Sequence, residues 1–238
     1  MIANQFTWAD LSTYDLNIAK RFYSSVFDWQ YTDFEDDYFL ASYHYQLKSG
    51  LYETPEKYQA MNMPSFWMSY IYVENTLSIV EQALQCGGKV ELIENYPNGT
   101  LALIRDPSGA GFSIYNGLEI KMPRSNSLNA PILHELFVSN LQKVKNFYYQ
   151  LFRWRFEKVT THQYHIIDET ETHIASAQEL SNTIKGNFQY WAIHFSIKDR
   201  LKARKKVIDF GGNILYEDKN DLWVNDPSGA FFNLREID

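Results

Sequence analysis

The sequence has little of what marks several common classes of protein. It has a single cysteine, Cys86, among 238 residues, which excludes an internal disulfide framework and a zinc ribbon and favours a reducing compartment. No apolar run approaches the roughly 20 residues that a membrane-spanning helix needs. The first 30 residues lack the basic and apolar segments of a secretory signal. We therefore expect a cytoplasmic protein with no membrane partner.

Motifs for nucleotides and for a nucleophilic serine are also missing. The chain has no Gly-x-x-x-x-Gly-Lys-Ser/Thr loop, no Gly-x-Gly-x-x-Gly and no Gly-x-Ser-x-Gly, so neither a nucleotide cofactor nor an α/β-hydrolase site is indicated. The 22 basic and 29 acidic residues give a net charge of −7. Because this charge repels phosphates, we expect no nucleic-acid partner.

Aromatic residues, by contrast, are abundant. The chain has 17 tyrosines, 16 phenylalanines and 6 tryptophans, and 45% of its residues are hydrophobic. This content is sufficient for a sizeable core and rules out a disordered chain. It also raises the hypothesis of an aromatic-lined pocket.

An internal repeat organises the chain. Three landmarks occur twice in the same order: RDPSGA at 105–110 and NDPSGA at 225–230, Phe-Tyr at 22–23 and 147–148, and Gly-Gly at 87–88 and 211–212. Such order predicts two homologous halves, residues 1–118 and 131–238, joined by a polar linker at 119–130.

Each half in turn contains two smaller units, each predicted to be a strand, a helix and three strands. Apolar residues four apart predict a helix behind Asp15, a capping residue, and another behind Asn140. Further helices are predicted at about 76–86 and 199–210, each ending at paired glycines. The inward residues expected on the first of these are Leu77, Val80 and Leu84. The Asp-Pro-Ser-Gly segments predict turns between the last two strands of each half, with glycine at positive φ.

These landmarks resemble the vicinal oxygen chelate superfamily, which includes glyoxalases, bleomycin-resistance proteins and extradiol dioxygenases. The resemblance covers almost the whole chain, twice over. It implies an α+β fold, a tandem duplication of glyoxalase-like domains with four βαβββ modules in total, in which each half forms a curved-sheet barrel around a pocket.

The resemblance also implies where a metal would be held. Enzymes of this superfamily bind a divalent metal through His and Glu side chains on facing strands. The metal acts on the substrate as a Lewis acid. Counting along the sequence places the corresponding positions at Trp8, Met68, Ser113 and Gly50 in the first half and at Leu133, Ala192, Asn233 and Ser176 in the second. None of these is a histidine or a carboxylate. We therefore expect no cofactor, with a divalent metal as the alternative.

Pocket candidates follow from these positions, because alternate residues of a strand share a face. They are Trp8, Asp10, Met68, Tyr70 and Ser113 in the first half and Leu133, Glu135, Ala192, His194 and Asn233 in the second. In this scheme Trp8 stacks on a flat ligand, Met68 adapts to its shape, and Asp10 or Ser113 orients it.

Two of the six histidines adjoin these positions. His134 follows Leu133 by one residue, so it should face away from the pocket, whereas His194 follows Ala192 by two and should share its face. An alternative metal site would combine His134, His194 and either Glu135 or Glu179.

The sequence therefore favours a glyoxalase/bleomycin resistance/dioxygenase-like protein with degenerate metal-ligand positions, which binds a small hydrophobic or aromatic molecule without the usual metal. The alternative is a metal-dependent glyoxalase, isomerase or dioxygenase with displaced His and Glu ligands. If the chain is an enzyme, the resemblance implies a lyase, an isomerase or a dioxygenase-like activity. A monomer and a homodimer both fit, and one half could instead serve as a dimerisation scaffold.

Overall fold

A computed structural model describes residues 3–35, 37–60, 63–117 and 127–237. The first half contains these elements in chain order: β1 (Gln5–Thr13), α1 (Leu16–Phe27), β2 (Gln30–Glu35), β3 (Tyr38–Tyr43), β4 (Gln46–Glu53), α2 (Glu56–Ala60), β5 (Phe66–Tyr72), α3 (Thr76–Gln85), β6 (Lys89–Tyr96), β7 (Gly99–Arg105) and β8 (Gly111–Tyr115). The second half repeats this order: β9 (Pro131–Val138), α4 (Gln142–Phe152), β10 (Arg155–Lys158), β11 (Gln163–Ile167), β12 (His173–Glu179), α5 (Asn182–Lys185), β13 (Tyr190–Ile197), α6 (Arg200–Asp209), β14 (Asn213–Glu217), β15 (Asp221–Asn225) and β16 (Phe231–Glu236). The short helices α2 and α5 are additions to the predicted module.

Each half contributes one eight-stranded sheet. The strand orders are β2-β3-β4-β1-β5-β8-β7-β6 and β10-β11-β12-β9-β13-β16-β15-β14, so the predicted α+β duplication is confirmed. The prediction of a barrel in each half is wrong in one respect, because neither sheet closes on itself in the described part of the chain. Among the described residues β2 and β6 end the first sheet and β10 and β14 end the second, because each three-strand meander extends away from the centre of its sheet.

The compact units of the molecule do not follow the sequence halves. Unit 1 consists of the described residues within 1–8, 69–121 and 133–192, and unit 2 consists of those within 9–68, 122–132 and 193–238. Residues 119–126 of the predicted linker lie outside the described residues, so the domain boundaries stay a prediction. No helix in the described part of the chain combines the length and apolar character that a bilayer crossing requires.

The core of unit 1 combines segments from both halves. Helix α3 contributes Val80 and Ala83, and helix α4 contributes Phe147 and Leu151. The expectation that Leu77 and Leu84 point inward is wrong, since these side chains are 56% and 55% exposed. The buried face of α3 instead carries Thr76, Val80 and Ala83, whose smaller side chains allow the helix a closer approach.

The core of unit 2 is built in the same way. Helix α1 buries Ala19, Phe22 and Val26 as its spacing predicts, and these pack with Phe195 of β13 and Phe232 of β16. The helix begins at the predicted cap, where Asp15 Oδ1 accepts a hydrogen bond of 2.8 Å from the backbone of Ile18. At the start of α4, Asn140 Oδ1 accepts from the backbone N–H of Gln142, the first residue of the helix, at 3.0 Å. The Leu141 N–H donates to Glu179 Oε1 at 2.8 Å, so this hydrogen bond engages one of the alternative metal ligands.

A buried tyrosine–aspartate hydrogen bond ties each helix to a turn of the other half. In unit 1 the Tyr148 hydroxyl of α4 donates to Asp106 Oδ2 at 2.9 Å and accepts from Trp191 Nε1 at 3.0 Å. Asp106 Oδ1 meanwhile accepts from the backbone N–H groups of the Asp-Pro-Ser-Gly turn, including Ser108 at 2.7 Å and Ala110 at 3.1 Å. One carboxylate therefore closes the turn and holds the helix.

Unit 2 repeats this arrangement. The Tyr23 hydroxyl of α1 donates to Asp226 Oδ2 at 3.0 Å and accepts from Trp67 Nε1 at 3.0 Å. Burial, and then the adjacent Asp226 carboxylate, raise the pKa of Tyr23 well above its ordinary value. The hydroxyl therefore remains a donor at any physiological pH.

The paired glycines have separate functions. Gly87, with φ of +84°, ends α3 in the left-handed conformation that glycine adopts without strain. At Gly88 a side chain is excluded by space, because a Cβ would lie 2.6 Å from Phe147 Cε2. At Gly212 the corresponding distance, to Phe22 Cε2, is 2.8 Å. The repeated Gly-Gly and Phe-Tyr landmarks thus contact each other in both units.

The tyrosine–aspartate hydrogen bond predicts that removal of the Tyr148 hydroxyl lowers stability strongly. Tyr148→Phe should lower the free energy of unfolding by about 2–3 kcal/mol, because it leaves Trp191 Nε1 without an acceptor and removes one donor from Asp106. Chemical denaturation measures this. Tyr149→Phe, on the same helix but 44% exposed, should change stability by less than about 0.5 kcal/mol. Equal stability of the two variants would show that the buried bond contributes nothing.

Candidate functional site

Strand alternation separates a core face from a reverse face, by which we mean the face opposite the hydrophobic core. In β1, Ala9 and Leu11 belong to the core of unit 2, so Trp8 and Asp10 project from the reverse face. In β13, Ile193 and Phe195 belong to the same core, so His194 projects from the reverse face. By the same alternation the reverse face carries all ten pocket candidates: Trp8, Tyr70, Ser113, Leu133, Glu135 and Ala192 in unit 1 and Asp10, Met68, His194 and Asn233 in unit 2.

The strand register refines the counted ligand positions. Asp10 pairs with Gly50, and Tyr70 pairs with Ser113. In the second half Ser176 pairs with Glu135, and His194 pairs with Asn233. The residues level with the third and fourth ligand positions are therefore Asp10, Tyr70, Glu135 and His194, each two residues beyond the residue reached by counting. Counting starts from helix caps and strand ends, whereas the ladder of hydrogen bonds sets which residues face each other.

His194 and Asn233 form a buried polar pair in unit 2. Their side chains are 1% and 0% exposed, and Asn233 Nδ2 lies 2.9 Å from His194 Nε2. On the other side of the ring, His194 Nδ1 lies 3.6 Å from Asp221 Oδ1. The carboxylate favours the tautomer with the proton on Nδ1, which leaves Nε2 to accept from the Asn233 amide.

Asp221 is in turn held by Arg235. The guanidinium donates two hydrogen bonds of 2.7 Å to the two carboxylate oxygens, an arrangement that fixes both geometry and charge. Burial by itself would raise the pKa of Asp221, but His194 and Arg235 outweigh it and lower that pKa below its ordinary value. Asp221 is therefore ionised at neutral pH, beside the His194 ring.

Aromatic side chains lie next to this pair. Trp223 of β15 is level with Asn233 in the sheet, so His194, Asn233 and Trp223 occupy three neighbouring strands at one level. The Trp223 ring is 5.2 Å from that of Tyr216 and 5.9 Å from that of Phe231. Trp223 and Phe231 are half-buried, and Tyr216 is 50% exposed. We refer to His194, Asn233, Asp221, Arg235, Trp223, Phe231 and Tyr216 as the second-half polar–aromatic face.

Sequence reasoning found only His194 and Asn233 of this face. A signal for the others was present in the NDPSGA turn. It predicts a hairpin, and a two-strand hairpin around that turn pairs Asp221 with Arg235 and Trp223 with Asn233.

In the first half, Asp10 is engaged by a tyrosine. The Tyr38 hydroxyl donates to Asp10 Oδ1 at 2.7 Å, and Asp10 is 3% exposed. The bond passes over Gly50, where a Cβ would lie 2.0 Å from the Tyr38 oxygen and 2.3 Å from Asp10 Oδ1. Glycine at the fourth ligand position therefore makes room for a hydrogen bond between β3 and β1, the two strands on either side of β4.

His134 lies on the core side of β9, together with Leu136, as its one-residue offset from Leu133 predicts. Its ring stacks on Phe6 with centroids 4.0 Å apart, and its Nδ1 lies 2.7 Å from Ser69 Oγ. It is 3% exposed and packs as a core residue of unit 1.

These surroundings do not fit the metal that the resemblance implies. In the described parts of the chain, no group of three or more His, Cys, Asp or Glu residues is arranged to hold a metal ion. The His194 Nε2 lone pair faces the Asn233 amide, and the neutral oxygens of Ser113 and Asn233 are poor substitutes for a carboxylate. We therefore assign no chemical step to a metal.

Comparison with known proteins places this fold. Residues 5–114 match the model of the Glyoxalase/Bleomycin resistance protein/Dioxygenase superfamily. "Putative glyoxylase CFP32" of Mycobacterium bovis is 24% identical over 95% of this chain and 92% of its own length, and the protein of the same name from Mycobacterium tuberculosis has the same values.

Solved structures agree at the level of the fold. The Mn(II)-bound glyoxalase from Novosphingobium aromaticivorans superposes with a TM-score of 0.64 at 11% identity, covering 98% of this chain and 82% of that one. The 2,2',3-trihydroxybiphenyl 1,2-dioxygenase from Sphingomonas wittichii RW1 has a TM-score of 0.65 at 11% identity, covering 99% and 91%. By this match the first half, over residues 5–114, belongs to the Glyoxalase/Bleomycin resistance protein/Dioxygenase superfamily, and the second half repeats its order of strands and helices.

Proposed function

We propose that the chain binds a small aromatic or hydrophobic molecule on the second-half polar–aromatic face, without chelating it to a metal. The observation that carries the proposal is the alignment of His194, Asn233 and Trp223 at one level of three neighbouring strands. A half-buried indole beside a hydrogen-bonded imidazole and amide offers both an apolar surface and polar groups that orient a ligand.

Each group has a distinct role in this proposal. Trp223 and the exposed ring of Tyr216 provide the aromatic contact, which favours a flat ligand. His194 and Asn233 exchange their mutual hydrogen bond for bonds to ligand hydroxyl or carbonyl groups. Arg235 fixes Asp221, and Asp221 fixes the His194 ring, so these two residues position the imidazole rather than contact the ligand.

A metal-dependent glyoxalase or dioxygenase with displaced ligands is the second candidate. It is favoured by the name of the mycobacterial relatives and by the metal in the glyoxalase from Novosphingobium aromaticivorans. The two candidates differ in what they require of His194. The metal-free binder needs the hydrogen bonds of His194. The metal-dependent enzyme needs the Nε2 lone pair of His194 as a metal ligand.

Calorimetric titration with catechol tests the aromatic contact. Catechol combines a flat ring with two hydroxyl groups, and cyclohexane-1,2-diol is the matched probe without the ring. Trp223→Leu should weaken catechol binding by about tenfold, since stacking contributes about 1 kcal/mol or more. Tyr45→Leu, which removes an aromatic side chain that is 98% exposed elsewhere, should leave binding unchanged. Equal binding of both probes, or no effect of Trp223→Leu, would overturn the proposal.

Metal analysis separates the two candidates. Protein purified without chelators should contain Fe, Mn, Ni and Zn well below one equivalent by mass spectrometry, and EDTA should leave catechol binding unchanged. Asn233→Asp supplies a carboxylate at the third ligand position and is the positive control for metal capture. One equivalent of metal in the wild-type protein, lost together with catechol binding in EDTA, would favour the metal-dependent candidate.

The pKa of Asp221 predicts how stability depends on pH. Its folded pKa lies below its unfolded value of about 3.9, so it stabilises the protein above that value and the contribution is lost as pH falls through the folded pKa. Asp221→Asn should therefore lower the free energy of unfolding at pH 6, by about 1–2 kcal/mol after allowance for the partly exposed Arg235. The difference from wild type should shrink toward pH 2. Asp33→Asn, at an exposed position, is the control and should change the free energy of unfolding at pH 6 by less than about 0.5 kcal/mol.

A further inference from the structure

The first half contains a buried lysine that has no carboxylate partner among the residues that the structure describes. Lys48 of β4 is 1% exposed, and it ranks among the largest fully buried side chains of the described residues. Its ammonium lies 3.3 Å from Gln46 Oε1 and 6.0 Å from the centroid of the Tyr43 ring. Among the described residues no carboxylate lies within ion-pairing distance of it. Burial lowers the pKa of Lys48, and no charged group offsets that effect.

Such a residue is costly to the fold. A buried ammonium loses its hydration, and a partner recovers that loss only when it brings opposite charge and good hydrogen bonds. One long hydrogen bond to a neutral amide satisfies only one of the three N–H donors of the ammonium and does not neutralise its charge. Sites that break the rules of folding in this way are often functional.

The backbone also singles out this position. The pairing of β3 with β4 changes register between Ala41 and Ser42, where Ala41 faces Ser49 and Ser42 faces Leu47. Lys48 is therefore the extra residue of a β-bulge, a device that re-aims one side chain. At the bulge Lys48 departs from the alternation of the strand, and its ammonium lies near the ring of Tyr43, a residue that packs against the core of unit 2.

The acceptor of the ammonium lies on an exposed side chain. Gln46 is exposed, whereas the lysine that it contacts is buried. The Gln46 side chain can therefore turn away from Nζ while its backbone pairing with Tyr43 stays in place. The Gln46 side-chain oxygen accepts a hydrogen bond from the ammonium but carries no negative charge.

The geometry points to Lys48 as the anion-binding residue of a second site, in the first half, which takes a carboxylate group of a small molecule in place of the Gln46 side-chain oxygen. A carboxylate fits better than a neutral carbonyl because it supplies the missing charge and can accept more than one of the three N–H donors. This site is independent of the polar–aromatic face in the second half.

The test titrates the full chain with acetate, using acetamide as the matched neutral probe, at constant ionic strength. The signal is the Nζ resonance of Lys48 in protein labelled with ¹⁵N-lysine and assigned with Lys48→Met. Acetate should shift this resonance saturably and raise the pKa of Lys48, because the carboxylate stabilises the charged form. Acetamide should do neither, and exposed Lys158 should respond to neither probe.

Two variants make the outcome decisive. Gln46→Glu places a carboxylate of the chain itself beside the ammonium, so it should raise the pKa of Lys48 and weaken acetate binding at least tenfold. Lys48→Met should be at least as stable as the wild type, since it removes an uncompensated buried charge. Equal responses to acetate and acetamide, or a clear loss of stability in Lys48→Met, would overturn the inference. Neither result would bear on catechol binding at Trp223.

Discussion

The structure depends on two buried hydrogen bonds in which a tyrosine of one half holds an aspartate of the other. Asp106 and Asp226 each close the turn between the last two strands of a half, and Tyr148 and Tyr23 bind them from the opposite half. The phenol must be buried to reach the turn, and burial keeps it protonated and able to donate. The tryptophan N–H that each phenol accepts satisfies its remaining capacity. Helix position, turn geometry and core packing are therefore set together.

As a consequence of this arrangement, the two faces of each strand carry different kinds of residue. The core face carries the aromatic and aliphatic residues that pack against the helices, and it leaves no freedom for chemistry. The reverse face carries polar residues, including Asp10, His194 and Asn233. These are buried as well, so each requires partners. The partners observed are Tyr38 for Asp10 and Asn233 for His194, where relatives of this fold are expected to hold a metal.

Most of the fold could be predicted because its determinants are local. Asp15 caps a helix from the next turn of chain, and Gly109 supplies the positive φ of its own turn. The orientation of α3 could not be predicted, because Leu77 and Leu84 satisfy the apolar spacing as well as Val80 and Ala83 do. Only the surface against which the helix packs decides between them.

The site was predicted less completely for a similar reason. The reverse face follows from alternation, but which residues stand level depends on the ladder between strands, which counting from helix caps does not reveal. Lys48 gave no signal at all, because its burial results from a bulge that a single sequence does not display.

The way in which the two cores are assembled bears on the origin of the chain. Each core takes one helix from each half, α3 with α4 in one and α1 with α6 in the other. A polypeptide of half this length would possess two long helices and no complete core for either. Two copies of it, associated about a twofold axis, would complete both cores at once. The tandem chain carries both copies of that pairing in one polypeptide. The two copies are therefore free to differ, and their reverse faces do: the first half pairs Asp10 with Tyr38, and the second pairs His194 with Asn233.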